Sequence, residues 1–386
     1  MLLLVAVIGF AAWIYLVGFR GGFWINSRFN NLPVPAARSE WPEVVAVIPA
    51  RDEASSIGNC IRSLLSQPYA GRFSIILVDD QSSDGTAELA AKAAAEIGAA
   101  DRLTVISGRT PPAGWTGKLW ALKQGLSRVE EREIEPTYVL LTDADIVYSG
   151  DVLPRLVTRA DDGKLAMTSV MAKLRCESFA EQFLIPAFIF FFQMLYPFSW
   201  VARPDRSTAA AAGGCLLARW DALYAAGGID AIRGALIDDC AMGGLLKSRG
   251  PVWLGFSQGV SSVRESKTFD DVGGMITRSA YAQLQYSPLN LAGTILSMAV
   301  VYLAPVIIAL IGGYPADLFA LGSWALMAIA FQPTLRYYRR SPLWGLILPA
   351  IAFAYLMYTI NSAYQYYRGR GGMWKGRAQA NLSGFR

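Results

Sequence analysis

Long apolar stretches near both ends of the chain constrain its fold more than any other sequence feature. Leu2–Phe19 contains no charged residue and is about the minimum length of a spanning helix. Three more apolar runs follow later, at Leu289–Gly312, Leu318–Pro333 and Leu343–Ser362. Only 17% of the residues are charged, compared with about 25% in ordinary soluble domains. The pattern predicts transmembrane helices at the N- and C-terminal ends and a water-facing domain between them.

The charges around the first apolar stretch predict an uncleaved membrane anchor. The first basic residue, Arg20, follows the stretch, whereas a cleaved signal peptide carries its basic residues in front. This order places the N-terminus outside and the next domain in the cytoplasm. Three full C-terminal crossings would then leave the basic loop around Arg336 inside and the basic tail outside. Because basic segments favour the inside, the side of the tail stays open.

Another apolar segment, Phe183–Trp200, lies in the middle of the chain. It is apolar enough to cross a membrane, but Pro186 and Pro197 interrupt it. Acidic motifs that must share one site lie on both sides of it, and a crossing would separate them. We therefore predict a segment that lies at the membrane interface, with a buried core helix as the alternative.

Between these segments, short apolar runs alternate with amphipathic stretches. Strands are predicted at Val44–Ile48, Ile75–Asp79, Leu103–Ser107, Tyr138–Thr142 and Leu165–Met171. Helices are predicted at Ala54–Gln67, at Thr86–Ile97, which Gly98 closes, and at Lys118–Arg132. The alternation predicts an α/β fold with a mostly parallel sheet and helices on both faces. Ligands of such a sheet bind at the carboxyl ends of the strands.

These patterns divide the chain into five parts. They are a membrane anchor (1–20), a linker (21–42), a water-facing domain (43–285) that contains the interfacial segment 183–200, membrane helices (286–366) and a basic tail (367–386). The net charge of +5 comes from basic residues that follow apolar runs, such as Arg20 and Arg336. No basic stripe alternates with stacking aromatic residues, so we expect a membrane and no nucleic acid as partner.

The chain contains no histidine, which excludes several kinds of active site. A Ser-His-Asp or Cys-His mechanism is impossible, and so is a zinc site with histidine ligands. A general base must be Asp, Glu, Lys, Tyr or Cys, and carboxylates must hold any hard metal ion. The cysteines lie far apart without a CxxC pair, which indicates reduced thiols. They are Cys60, Cys176, Cys215 and Cys240.

Four acidic clusters are the main candidates for chemistry. Three of them follow predicted strands, and the fourth precedes a predicted helix. They are Asp52-Glu53, Asp79-Asp80, Asp143-Ala144-Asp145 and Asp238-Asp239. Each cluster alone has an ordinary explanation, either a polar turn or a helix N-cap. Three clusters at the ends of three of the predicted strands are harder to explain as turns.

The spacing of Asp143 and Asp145 favours a metal site. Two carboxylates two positions apart in an extended segment point the same way and can share Mg²⁺ or Mn²⁺. Such an ion would neutralise a diphosphate leaving group. Lys118 opens a helix after Gly117, where amides and an ammonium group suit phosphate oxygens. Asp238 and Asp239 are the candidate bases for a hydroxyl nucleophile, although their position by itself favours a helix N-cap.

Five motifs in a fixed order carry a resemblance to a known family. They are VVAVIPARDEASSI at Val44–Ile57, IILVDDQSSDGT at Ile75–Thr86, GKLWALKQG at Gly117–Gly125, TDAD at Thr142–Asp145 and IDD at Ile237–Asp239. Over roughly residues 40–270 the chain resembles family 2 glycosyltransferases with the GT-A fold. With YAQLQYSP at Tyr281–Pro288 and its terminal apolar runs, the whole chain resembles the hopene-associated glycosyltransferases of hopanoid-producing bacteria.

The resemblance implies a role for each matching residue. The nucleotide-sugar site would consist of Pro49, Ala50, Glu53, Asp80, Lys118 and Asp143. Asp143 and Asp145 match the Asp-x-Asp motif, in which the second residue is favoured as the direct metal ligand. Asp239 matches the catalytic Asp, and the implied transfer is inverting. Because the sequence reads Ile-Asp-Asp instead of Thr-Glu-Asp, Asp238 remains the alternative base.

Two departures from the family pattern bear on the reaction. The Gln-x-x-Arg-Trp motif of processive synthases is missing, and its region offers Arg278 and Gln283 instead, which favours transfer of a single sugar. Lys123 stands where an Asn is common. We therefore expect a metal-dependent enzyme of the bacterial inner membrane with a cytoplasmic catalytic domain. Its donor would be a nucleotide sugar, expected to be UDP-linked, and its acceptor a lipid such as a hopanoid or a polyprenyl phosphate. The alternatives are a processive polysaccharide synthase and a non-catalytic scaffold that binds a nucleotide sugar.

Overall fold

The computed structural model describes residues 1–25, 32–35, 38–374 and 377–378. The chain forms two compact units. The first unit contains residues 1–28, 176–200 and 265–373, and the second contains residues 29–175, 201–264 and 374–386. Parts of the expected linker (26–31 and 36–37) and half of the basic tail (375–376 and 379–386) lie outside the described residues.

The strands and helices are numbered along the chain. The strands are β1 Val44–Ala50, β2 Phe73–Asp79, β3 Leu103–Ser107, β4 Tyr138–Leu141, β5 Ile146–Tyr148, β6 Met167–Lys173, β7 Leu216–Arg219, β8 Val252–Ser262, β9 Met373–Trp374 and β10 Arg377–Ala378. The helices are α1 Leu2–Phe19, α2 Ile57–Leu65, α3 Thr86–Glu96, α4 Gly117–Glu130, α5 Val152–Asp162, α6 Phe179–Leu195, α7 Phe198–Val201, α8 Trp220–Ala225, α9 Asp238–Lys247, α10 Phe269–Gln283, α11 Pro288–Met298, α12 Ala304–Ile311, α13 Ala316–Tyr337 and α14 Leu348–Tyr367.

An eight-stranded sheet forms the centre of the second unit, in the order β3-β2-β1-β4-β7-β6-β8-β5. β1 runs parallel to β2 and β4, β2 to β3, and β6 to β8. β7 is antiparallel to β4 and β6, and β5 is antiparallel to β8. The sheet is therefore mixed with a parallel majority among its pairs, and the predicted α/β class is confirmed. A separate two-stranded sheet pairs β9 with β10.

The predicted elements of this unit appear with small shifts at their ends. β1 is buried along its whole length because it lies between β2 and β4. α4 packs on β1 and β2 at Gly125, where a Cβ atom would lie 2.4 Å from a methyl carbon of Val47. α3 ends just before Gly98, whose φ of 67° suits the expected helix terminus. The glycine at 125 thus lets the helix that carries Lys118 lie close to the sheet.

The predicted helix start at Ala54 is wrong, since α2 begins at Ile57. Residues before Ile57 instead bind the loop after β2: Asp52 N donates to Ser82 Oγ, and Ala54 N donates to Asp84 Oδ2. Residues 54–56 form a turn ahead of the helix, in which Ser56 N and Ile57 N both donate to Glu53 O. The hydrogen bonds from Asp52 and Ala54 hold the two loops together at one edge of the sheet.

Five helical segments of the described residues are long and apolar enough to cross a membrane. They are Leu2–Phe19, Phe179–Val201, Pro288–Ile311, Ala316–Tyr337 and Pro342–Tyr367. All but the final residue of the second segment belong to the first unit. The expected interruption at Pro186 is wrong, because α6 continues through this residue and ends at Leu195, before Pro197.

An indole of the first apolar helix donates to a helix carbonyl whose usual donor, four residues on, is replaced by a proline. Pro305 has no N–H to give to the carbonyl of Val301, four residues earlier. A π-helical turn, Ala299–Leu303, precedes this proline, and Trp13 Nε1 donates to the Val301 oxygen at 2.9 Å. A backbone group in an apolar environment is therefore paired, as the low polarity of such an environment requires.

A buried carboxylate fixes the chain at both places where it enters α6 and α10 of the first unit. Glu181 is fully buried, and its side chain accepts from the backbone N–H groups of Glu177, Ser178 and Ser266 at 2.8–2.9 Å. Ser178 and Glu181 together form a capping box at the start of α6. The same side chain therefore caps one helix and holds the segment that leads into the other.

Candidate active site

Three acidic loops lie at the same edge of the sheet. β1 and β2 run parallel with Ala50 opposite Asp79, and Asp80 N donates to Ala50 O at 2.7 Å. β4 pairs with β1 on its other side, and Thr142 follows it directly. Because parallel strands end at the same edge, the loops that begin at Arg51, Asp80 and Thr142 are neighbours.

A cleft of about 330 Å³ lies at this edge. Its polar lining is made by Lys118, Thr142, Asp143, Asp238 and Asp239, and Pro49 contributes an apolar wall. The structure therefore brings together residues that are as many as 190 positions apart, Pro49 and Asp239. Ala50, Glu53, Asp80 and Asp145 are buried and do not belong to the lining of this cleft.

Lys118 joins two of the acidic motifs. It lies in the first turn of α4, which Thr116 caps by accepting from Leu119 N. Its ammonium group is 2.8 Å from Asp143 Oδ1 and 3.0 Å from Asp238 Oδ2. Burial lowers the pKa of Lys118, but the two carboxylates raise it by more, so the pKa lies above its ordinary value. Lys118 therefore stays charged at physiological pH.

Asp239 has the environment of a weak acid that titrates near neutrality. It lies in the first turn of α9, where its carboxylate accepts from Gly213 N at 3.1 Å and from Cys240 N at 2.8 Å. Burial and then the negative charge of Asp238 raise its pKa to about 6, against the opposing effect of Lys118. A carboxylate with this pKa is a stronger base than an ordinary Asp and is still ionised at pH 7.

Asp143 is the first residue of the Asp-x-Asp motif, and it interacts with the charges of both Lys118 and Asp145. Burial raises its pKa, Lys118 lowers it, and the neighbouring charge of Asp145 raises it again, so that the pKa lies above its ordinary value. The backbone oxygen of Asp143 is 3.8 Å from Cys60 Sγ. Burial raises the pKa of the Cys60 thiol, and the negative charges of Asp145, Asp143 and Glu53 raise it further. Three of the predicted acidic residues are therefore grouped around the buried Cys60.

The side chain of Asp145 pairs with residues at and after the end of β8. Its Oδ2 accepts from Ser262 Oγ at 2.5 Å and from Arg264 Nε at 3.3 Å. The same guanidinium donates through Nη2 to Glu53 Oε1 at 2.6 Å. Glu53 Oε2 accepts from Ser56 Oγ. Arg264 therefore bridges two predicted site residues.

Asp80 is bound by a basic residue of the neighbouring loop. Arg51 Nη1 donates to the backbone oxygen of Asp80 at 2.6 Å and lies 3.7 Å from its Oδ2. Only 1% of Asp80 is exposed. The sequence patterns include Arg51 in the first motif without giving it a role, and they single out neither Ser262 nor Arg264. The available signal for Arg264 is its position two residues after a strand that ends at this site.

The expected extended segment at the Asp-x-Asp motif is wrong, because residues 144–145 form a turn. Its two carboxylates have different partners: Asp143 contacts Lys118, whereas Asp145 contacts Ser262 and Arg264. Among the described residues, no group of three or more Cys, Asp or Glu side chains is arranged to hold a metal ion. A divalent ion held by these two carboxylates would take its other ligands from water and phosphate oxygens, which is the usual coordination of Mg²⁺. An ion bound in this way would neutralise the charge of a diphosphate.

The sequence profile of the glycosyltransferase-like family 2 matches residues 42–266 of this chain, which is more than half of it. The chain belongs to this family. The matched range contains every predicted catalytic, nucleotide and metal residue. The protein is thus a glycosyltransferase of the family 2 type.

Known proteins resemble this glycosyltransferase over different parts of its length. It is 24% identical over 151 residues to an N-acetylglucosaminyltransferase from Mesorhizobium japonicum; the match covers 39% of this chain and 32% of that relative. Its fold resembles a mannosyltransferase from Pyrobaculum calidifontis that was solved with GDP-Man and Mn²⁺. That likeness has a TM-score of 0.57 at 18% identity and covers 93% of this chain and 99% of the other. The predicted GT-A-type fold is confirmed.

Proposed function

We propose that this glycosyltransferase transfers a single sugar, with inversion, from a nucleotide sugar to a membrane lipid. The observation that carries the proposal is the cleft in which Lys118, Asp143, Asp238 and Asp239 meet. It offers a cation, a candidate metal carboxylate and a partly buried carboxylate of raised pKa. A charged leaving group and a hydroxyl nucleophile require these two kinds of group.

Asp239 would act as the general base. Its carboxylate is held by the backbone N–H groups of Gly213 and Cys240, so its position is fixed before substrate arrives. Asp238 is engaged by Lys118 at 3.0 Å, which leaves it less suited to accept a proton. Attack by the acceptor oxygen on the anomeric carbon, opposite the departing diphosphate, would invert that centre.

Lys118 and the Asp-x-Asp carboxylates would serve the leaving group. Mg²⁺ or Mn²⁺ held by Asp143 and Asp145 would neutralise the diphosphate, which is the chemistry of such an ion. Lys118 would turn from Asp143 towards phosphate oxygens as the donor binds, since an ammonium group has three donors that can change partners. The donor pocket would include Pro49 of the cleft wall and the neighbouring Glu53 and Asp80.

A membrane lipid is the proposed acceptor because the chain has so many apolar helices. Five described segments are long and apolar enough to cross a membrane. Candidates are a hopanoid-like lipid and a polyprenyl phosphate. We propose that the protein resides in the bacterial inner membrane with its catalytic unit in the cytoplasm, where nucleotide sugars are available.

The deciding experiment incubates membranes that contain the full chain with labelled UDP- and GDP-sugars. GDP-sugars belong in the panel because the mannosyltransferase of similar fold was solved with GDP-Man. Mass spectrometry of the lipid extract would identify donor and acceptor together, and a single added sugar is expected. A ladder of products would indicate a processive synthase instead.

Two variants connect any product to the cleft. Asp239→Asn should retain donor binding and lose transfer, whereas Asp101→Asn, a change at an exposed position of the same unit, should leave both unchanged. Binding of a nucleotide sugar without any product from any lipid fraction would favour the non-catalytic scaffold.

A further inference from the structure

Arg264 lies where the nucleotide and metal parts of the proposed donor site meet. It follows β8, whose end pairs with β5 directly after the Asp-x-Asp motif. Val263 N donates to the backbone oxygen of Asp145 at 2.9 Å, which holds this end of β8 against the motif. The position of Arg264 is therefore set by backbone pairing as well as by its side chain.

Two nearly buried carboxylates orient the guanidinium group. Its Nε donates to Asp145 and its Nη2 to Glu53, whose side chains are only 10% and 9% exposed. The side chain of Arg264 is itself 46% exposed. These contacts use two of the five N–H donors of an arginine, and the others remain for a ligand. A fixed, half-exposed cation of this kind is ready to receive an anion.

The chemistry of the neighbours indicates which anion fits. Glu53 belongs to the loop after β1, which is assigned to the nucleoside, and Asp145 belongs to the candidate metal pair. A diphosphate is the part of a nucleotide sugar that lies between its nucleoside and its metal ion. Guanidinium groups match phosphate oxygens with paired hydrogen bonds, and arginine is favoured at such sites.

We propose that Arg264 binds the diphosphate of the sugar donor from the side opposite Lys118. The proposal rests on the proposed function and adds a substrate-binding residue to it. Glu53 then has a positioning role, because it holds the guanidinium instead of contacting the nucleoside itself. Lys118 of α4 and Arg264 of the segment after β8 would supply positive charge to the same site.

The test measures binding to the purified full chain in detergent with Mn²⁺ present. Each probe competes with a fluorescent nucleoside diphosphate for the protein. The phosphate-bearing probes are UDP, GDP and inorganic pyrophosphate, and the phosphate-free controls are uridine and guanosine. Arg264→Gln should weaken the three phosphate-bearing probes about 10- to 100-fold, as expected for losing hydrogen bonds to a charged group. Uridine and guanosine should bind as they do to the unchanged protein.

A matched control and a conservative variant complete the test. Arg203→Gln removes another arginine of the same unit that pairs with a carboxylate, Asp205, and should leave all affinities unchanged. Arg264→Lys keeps the charge but loses the paired geometry, so it should weaken diphosphate binding several-fold. Melting temperatures show whether each variant folds. If Arg264→Gln does not fold, Arg264→Lys still tests the proposal.

The outcomes separate this inference from the proposed function. If the unchanged protein binds neither nucleoside diphosphate, the proposed function fails. If the unchanged protein binds them and both folded Arg264 variants bind them equally well, the inference is overturned. Arg264 then only holds the end of β8 against the Asp-x-Asp motif. A loss that is equal for nucleosides and diphosphates would also overturn it, because the defect would then be in pocket shape.

Discussion

With Asp239 as the proposed general base, its raised pKa predicts a pH dependence that is unusual for an aspartate. The ionised carboxylate is the form that accepts a proton, so transfer should fail as pH falls through its pKa of about 6. The ionised fraction is about 0.9 at pH 7 and about 0.1 at pH 5, so kcat/KM should fall about tenfold between them. An Asp with an ordinary pKa near 4 would lose only about 10% over the same range.

Asp238→Asn tests the cause of the raised pKa. Burial is the largest contribution, and the negative charge of Asp238 is the second. Removing that charge should lower the pKa of Asp239 and move the acidic limb of the profile to lower pH. The variant also takes one partner from Lys118, so the midpoint of the limb, and not the height of the profile, is the quantity to compare.

The assay follows kcat/KM from about pH 4.5 to about pH 8 at constant ionic strength, because this ratio reports the ionisation of the free enzyme. Asp101→Asn provides the control profile, and Asp239→Asn should have lost about 100-fold or more of its activity with no limb near pH 6. A limb of the unchanged enzyme near pH 4 would refute the role of burial. Loss of transfer in Asp238→Asn together with normal transfer in Asp239→Asn would assign the base to Asp238.

Three further predictions concern the metal pair and the packing. Asp145→Asn should abolish transfer that depends on Mg²⁺ or Mn²⁺ without lowering the melting temperature much; undiminished turnover across a metal titration would contradict it. Gly125→Ala should destabilise the protein by about 1–3 kcal/mol because the new methyl group would overlap a β1 side chain, whereas Gly244→Ala, with open space around it, should not; thermal unfolding compares them. Glu181→Gln should cost about 1–3 kcal/mol because it leaves a buried N–H without an acceptor, and an equal melting temperature for it and the exposed Glu88→Gln would refute the capping role.

Local patterns were sufficient for much of the secondary structure. β3 has the predicted bounds, Leu103–Ser107, because the alternation of its side chains depends only on adjacent residues. The apolar helices were predicted from length and composition alone, since a spanning segment is defined by those two properties. The prediction failed at Ala54 and at Pro186, where contacts or continuity beyond the local pattern decide the conformation.

The motifs likewise predicted which side chains carry charge, but not how these charges are paired. Lys118 was a candidate for phosphate binding, yet its bridge between Asp143 and Asp238 required the end of β4 and the start of α9 to meet. The choice between Asp238 and Asp239 was open in the sequence. The structure separates them, because one faces an ammonium group and the other is held by backbone amides with a raised pKa.

The amino-acid order thus determined the strands, the apolar helices and the acidic residues at the strand ends, since each depends on residues close together along the chain. Tertiary structure alone decided that Arg264 joins Glu53 to Asp145, two residues that are more than ninety positions apart. A pKa and an ion pair depend on distance and burial in space, and these quantities exist only once the sheet has brought its loops together.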